Sequence, residues 1–239
     1  MSDTGPQPRL RPAGAERGDR AGFLDGLRQR LAAGAPANEA HPLAAHGGPV
    51  PSITYRDLDP DDLVGSFTRA ASAQRTTVHH VPGEAVPDEV LAGIVGAERV
   101  TSAVVSADPV AGEAGAALAR LGVDVRPYHP ETAVDADLGV TGARAGIAAT
   151  GSIAQDSGRS GGRGASLLPR AHLAILHARD LVATPGDLLR GLGEGGGPPA
   201  NLVLISSASR SGDIEMILTW GVHGPTSLHV AVLGVTPSG

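Results

Sequence analysis

From Ile53 onward the chain alternates helical and strand-like hydrophobic patterns, and this alternation restricts the fold more than any other feature. A helix is predicted over about Asp59–Gln74, with Leu63, Val64, Phe67 and Ala70 on its apolar stripe. Asp59, Asp61 and Asp62 lie at its amino end, where negative charge suits the helix dipole. Thr76–Val81 reads as a strand, and Pro87 opens a short helix containing Val90, Leu91, Ile94 and Val95. Val100–Ser106 is a strand, Pro109–Leu121 a helix stopped by Gly122, and Val123–Tyr128 another strand. Strands separated by helices of this length need crossover connections. The pattern therefore predicts an α/β fold with a mainly parallel, Rossmann-like sheet flanked by helices.

The second half is richer in strands. Val140–Thr141, Ala145–Ala149 and Ser152–Gln155 read as short extended pieces around Gly142, Gly146 and Gly151. His172–His177, Asn201–Ser206 and Leu228–Gly234 are strand-like, with helices predicted at about Pro185–Leu192 and Gly212–Gly221. Ser157–Gly164, carrying Arg159 and Arg163, reads as a flexible basic loop able to close over an anion. Ahead of all this, residues 1–20 are rich in Pro, Gly and Arg and read as a disordered tail. Residues 21–51 hold a short amphipathic helix, about Ala21–Ala33, and a Pro/Gly/His-rich linker. The expected organisation is this tail, this helix with its linker, and a single α/β domain over 52–239.

Composition removes several kinds of chemistry. The chain has no cysteine, so it offers no disulfide, no thiolate nucleophile and no Cys-held zinc or iron–sulfur cluster. It has no lysine either, which removes imine chemistry and a P-loop lysine. All 19 basic residues are arginine, a group better suited to binding carboxylate or phosphate than to moving protons. A net charge of -6 with 2% aromatics argues against nucleic acid, which calls for a basic face and stacking platforms. No apolar run approaches the ~20 residues of a membrane span, and the first 20 residues lack the apolar segment of a secretory signal. The expectation is a soluble, cytoplasmic protein with no membrane span.

Gly191, Gly193 and Gly196 match G-x-G-x-x-G, but they follow a predicted helix and run into Pro198-Pro199. A dinucleotide fingerprint follows a strand and opens a helix, so this match is a loop. The segment Ser206–Glu215 has the better arrangement: a strand, a Ser/Gly turn, then a predicted helix start. Such a start offers free N–H groups to an anion, with Ser207, Ser209 and Arg210 as binding residues. The same residues serve equally as a cap, with Asp213 and Glu215 complementing the dipole. His223 lies among turn residues and is either a plain turn histidine or a proton-transfer group. If the second half holds a catalytic acid or base, Asp213, Glu215 and His223 lead by elimination. Gly142, Thr150, Gly151 and Ser152 imply close backbone approach to a ligand or to a neighbouring strand. His79, His80, His172, His177 and His229 sit in strand patterns, at no metal-ligand spacing, and read as structural.

Two runs of residues resemble a known family. Gly139–Gly142, Ala145–Ser152, Ser166–Pro169 with His172, and then Ile205–Ser206, Ser209–Arg210, Asp213–Glu215 and Gly221–Pro225 are similar to the lactate utilization protein C family, the LUD domain. The match covers about Asp137–Gly234. The resemblance implies a fold like that of the glucosamine-6-phosphate isomerase, ribose-5-phosphate isomerase and CoA-transferase group. It implies a non-redox subunit in bacterial oxidation of L-lactate to pyruvate, binding a small anionic metabolite or its partner subunits. It also implies iron–sulfur and cysteine-rich partner subunits that carry the clusters, with no cofactor on this chain. Ala149 stands where members commonly carry Glu, which removes the natural carboxylate for covalent CoA-transferase chemistry. The competing readings are a stand-alone enzyme acting on a phosphorylated or carboxylated metabolite, and a sensor of a carboxylate.

Overall fold

The computed structural model describes residues 57–194, 199–212, 218–220 and 224–235, with Asp25, Arg28, Gln29 and Tyr55. The chain divides into two compact units, residues 1–53 and 54–239. In the first, Asp25, Arg28 and Gln29 are helical, and Arg28 pairs with Asp25 at 2.8 Å.

The second unit is built on a six-stranded parallel sheet. Its members are β1 (Thr77–Val81), β2 (Ser102–Val105), β3 (Asp124–Pro127), β4 (Leu138–Gly142), β7 (Ala171–His177) and β12 (Ser227–Leu233), in the order β1-β12-β7-β4-β2-β3. Helix α1 (Leu63–Ala73) precedes β1, while α2 (Asp88–Glu98), α3 (Pro109–Arg120) and the single turn α4 (Pro130–Ala133) supply crossovers. Each begins as its sequence dictates. Asp62 caps α1 by accepting from the Gly65 N–H at 2.8 Å, and Pro109 occupies the first turn of α3, where no N–H is needed.

One face of this sheet packs Leu138, Val140, Leu173, Ile175 and Leu233 against Leu91 and Ile94 of α2 and Ala114 and Leu118 of α3. The opposite face packs Ala174, Leu176, Val230 and Val232 against Phe67 and Ala71 of α1, and against Ile153 and Leu181 of a second sheet. With only two Phe and one Trp in the chain, small and branched side chains fill both layers. The second sheet has four strands in the order β8 (Leu181–Val182), β5 (Ala145–Ile147), β6 (Ser152–Asp156), β9 (Leu202–Ile205); β6 is antiparallel to both neighbours. Its outer face is covered by Leu188 and Leu192 of α7 (Pro185–Glu194). The fold is α/β with a mainly parallel sheet between helices, as the periodicity predicts.

Two local expectations are overturned. Within the predicted helix over Gly212–Gly221 the described residues are strand: β10 (Arg210–Gly212) pairs antiparallel with β11 (Leu218–Trp220). Thr219 and Trp220 are strand formers, and a run this short fits either period. The predicted flexible loop 157–164 instead starts with one helical turn, α5 (Ser157–Ser160), and ends where a second, α6 (Gly164–Leu167), begins. Asp156 caps α5 by accepting from the Gly158 N–H at 2.8 Å. Among the described residues no helix is long and apolar enough to cross a membrane.

Candidate functional site

In an open parallel sheet, ligands bind beyond the carboxyl ends of the strands, where the chain leaves in opposite directions from two neighbours. That point lies between β2 and β4, because β2 leads outward to β3 on one side while β4 is flanked by β7 on the other. A cavity of about 360 Å³ opens there, lined among others by Glu84, Asp108, Gly142, Arg159 and His177.

Asp108 follows β2 and caps α3 with extended backbone, its side chain only 3% exposed. Its Oδ2 accepts from the Ser106 hydroxyl at 2.9 Å and from the Gly142 N–H at 3.3 Å. Its Oδ1 lies 3.8 Å from Arg159 Nε, whose side chain is 54% exposed. On the far wall, Arg179 donates to Glu84 at 3.3 Å, and His177 Nδ1 stands 3.4 Å from the same carboxylate oxygen. The cavity therefore combines a guanidinium with carboxylate acceptors. That pairing suits a small molecule carrying a carboxylate and a hydroxyl.

The structure separates the residues singled out in the sequence. Gly142 lines this cavity, and a Cβ there would stand 3.0 Å from Asp108 and Val110 atoms. Thr150, Ser152 and Ser206 form a chain of hydroxyls elsewhere, with Thr150 and Ser152 2.8 Å apart and Ser152 and Ser206 2.7 Å apart. Gly151, at φ +64°, turns against α1, where a Cβ would come within 2.2 Å of the Ala71 nitrogen. Its close approach is therefore to a helix of the same chain. Ser207 and Ser209 line a second cavity, of about 340 Å³, with Ser166, His172, Ser206 and Leu228. This cavity lies at the amino ends of β7 and β12, because His172 and Leu228 are the second residues of those strands. The serine segment follows β9 of the smaller sheet, so it does not continue from a carboxyl end of the parallel sheet. Arg210 opens β10 opposite Trp220. Asp213, Glu215 and His223 lie outside the described residues. Ala149 lines a third cavity, with Asp59, Ser66 and Arg69.

Asp108 and Glu84 escaped the sequence reading, which sought acids in the second half. The missed signal is position: Asp108 stands between a predicted strand and a proline that opens a helix. The histidines make contacts that their spacing hides. His79 Nε2 lies 3.1 Å from His229 Nδ1, and His229 Nε2 lies 3.0 Å from Glu98 Oε1. Burial, with the neighbouring His229, lowers the His79 pKa. His172 is completely buried, and desolvation, followed by the charge of His229, depresses its pKa to about 3, so its imidazole is neutral. Among the described residues no group of three His, Asp or Glu side chains is placed to hold a metal.

Residues 65–233 match the model of the LUD domain. Lactate utilization protein C of Halalkalibacterium halodurans is 39% identical over 99 residues, which are 40% of this chain and 43% of that protein. The protein of the same name from Shouchella clausii is 40% identical over 99 residues, again 40% and 43%. The one from Deinococcus radiodurans is 33% identical over 100 residues, 41% of this chain and 47% of that protein. The alignments thus span less than half the length of these curated relatives. A crystal structure of a DUF162 family protein from Deinococcus radiodurans shares the fold, with a TM-score of 0.54 at 22% identity over 77% of this chain and 100% of that one.

Proposed function

The chain belongs to the LUD domain family, and on that premise we propose that it serves lactate utilization by binding a small hydroxy carboxylate between β2 and β4. The observation that carries this reading is the Asp108–Arg159 pair at the mouth of the carboxyl-end cavity. Arg159 offers a fork of donors to the ligand carboxylate, while Asp108 fixes the guanidinium through its Nε side. Glu113, which also lines the cavity, supplies an acceptor for the ligand hydroxyl. Lactate has both groups on adjacent carbons, and the relatives named lactate utilization protein C support that choice.

In this reading the protein is a non-redox subunit, and electrons pass through iron–sulfur and cysteine-rich partner chains. The absence of cysteine supports that division, since thiolate ligation of a cluster then falls to another polypeptide.

Calorimetric titration of the full chain with L-lactate tests the site. Arg159→Ala is expected to weaken binding roughly ten- to a hundredfold, the loss of one charge-assisted contact. Lactate that binds the variant as well as the wild type, or fails to bind either, removes the site. Co-expression with the cysteine-rich subunits tests the assembly: failure to co-purify would leave binding without complex membership.

A further inference from the structure

In the parallel ladder between β1 and β12, Thr77 stands beside His229 and His79 beside Ala231. Side chains alternate along a strand, so His79 and His229 share the face of Val81, Ala231 and Leu233, the one covered by α2 and α3. Their rings stack with centroids 5.4 Å apart, and His79 Nε2 lies 3.1 Å from His229 Nδ1. His229 is buried, and its Nε2 lies 3.0 Å from Glu98 Oε1 at the end of α2. Glu98 is itself held. Arg170 stands 3.8 Å from its other carboxylate oxygen and donates to its carbonyl at 2.7 Å. Arg170 also donates to Asp137 at 3.3 Å, and Asp137 Oδ2 accepts from the Thr101 and Ser102 N–H groups at 2.9 and 3.1 Å. The row of polar groups thus runs from a firmly tied end at β2 and β4 to a loose one at β1. Among the described residues β1 pairs with β12 alone.

A carboxylate only accepts, so the proton of the Glu98 contact sits on His229 Nε2. The contact between the rings then has two bonded states. With both imidazoles neutral, His79 Nε2–H donates to the bare Nδ1 of His229. With one added proton, His229 is an imidazolium against Glu98, and its Nδ1–H donates to His79 Nε2. A second added proton puts a hydrogen on both facing nitrogens, so no bond forms and two cations meet at close range. Burial, and then the charge of His229, lower the His79 pKa, as befits a ring that resists this proton. The surrounding ionisable groups do not relieve the clash. Arg170 adds positive charge behind Glu98, and the neutral His172 of β7 belongs to the opposite face. His80 turns toward α1, where its Nε2 meets Thr68 Oγ1 at 2.8 Å.

We propose that His79, His229 and Glu98 form a single-proton clasp on β1, closed while the two rings share no more than one added proton and opened by a second, which parts β1 from β12. The outer strand is the one that yields. His79 is half-buried on it, whereas His229 is fixed by Glu98 and its strand is flanked by β7. The clasp is independent of the lactate reading, since none of its residues lines the Arg159 cavity.

Amide exchange of the full chain, followed by NMR at a series of pH values, tests the clasp. The β7 amides serve as the internal reference for loss of global stability in acid. Protection of the β1 amides that pair with β12, relative to β7, is expected to fall about tenfold per pH unit between about pH 6.5 and about pH 4. His79→Gln places there a group that can donate through its amide nitrogen or accept through its oxygen, so it meets His229 in either protonation state. The relative fall is expected to vanish in that variant. Glu98→Gln keeps an acceptor for His229 Nε2–H but removes the charge that favours protonation, and is expected to move the fall to lower pH. Long-range proton–nitrogen NMR of the wild type, which depends on no variant folding, is expected to show His229 protonated at Nε2 at neutral pH. A bare Nε2 there, or β1 protection that follows β7 at every pH, overturns the clasp. A fall that persists in His79→Gln overturns the part of the ring pair, and a move to higher pH in Glu98→Gln overturns that of the carboxylate.

Discussion

In the six-stranded sheet, β7 and β12 bury Leu173, Ile175, Leu176, Val230 and Val232 at 1% exposure or less. In the four-stranded sheet, β6 buries Ser152, Gln155 and Asp156 alongside Ile153 and Ala154. The first sheet is held by removing apolar surface from water, which has no direction and tolerates local adjustment. The second is held by directional contacts: Gln155 to Thr141, Asp156 to Arg144 at 2.9 Å, and Ser152 to Ser206. A polar group buried there keeps its place only while its partner does. The comparison shows why the candidate binding features gather at the ends of the parallel strands and where the small sheet meets them, and not within the apolar layers.

The largest expected effect tests the junction of the two sheets. His172 is buried neutral with its pKa depressed to about 3, against 6.5 when unfolded. Acid therefore favours the unfolded chain: stability is unaffected by this group above pH 6.5 and is lost as pH falls from there toward 3. The slope is about 1.4 kcal/mol per pH unit, on the order of 5 kcal/mol over the window. Urea unfolding at a series of pH values checks it, and a flat profile between pH 6 and pH 4 would contradict the buried neutral imidazole.

Leu173→Ala, in the apolar sheet, should cost about 2–5 kcal/mol through lost transfer energy and a cavity. A loss below about 1 kcal/mol in denaturant melts would mean the two sheets do not differ as described. Asp156→Ala, in the polar sheet, should cost less, about 1–3 kcal/mol, because Arg144 is 28% exposed and can turn partly to water. Here the sharper readout is structural, with amide exchange expected to quicken at Gly158, whose N–H this carboxylate accepts. The smallest effect belongs to the open edge. Leu204 of β9 is 46% exposed, so Leu204→Ser should change stability by no more than about 0.5 kcal/mol. A larger loss by thermal melting would show that this edge is covered in solution.

The same contrast explains what the sequence makes legible. Apolar runs such as Leu173–Leu176 and Val230–Leu233 are buried on both faces and read as strands. Pro87 and Pro109 mark helix starts, and Gly122, at φ +85°, marks a helix end. The small sheet resists reading because β5 and β8 are three and two residues long, too short for any period to show. The apolar spacing at Leu218–Trp220 fits a helix, but a short antiparallel strand satisfies it equally. Of the candidate sites, Gly142 could be found because close approach leaves glycine as its trace. The pairing of Asp108 with Arg159, and of His79 with His229 across 150 residues, is set by topology alone.

The place of β12 between β1 and β7 has a consequence for how the molecule comes into being. The earliest strand of the sheet adjoins the latest one, so Thr77–Val81 must wait for Ser227–Leu233 before its hydrogen bonds exist. Closing so long a segment is entropically slow, and during synthesis β1 would emerge with an unpaired edge. Ending the chain anywhere between Val81 and Ser227 thus leaves β1 without its partner and the sheet unfinished, so assembly of this unit is completed near its carboxyl end.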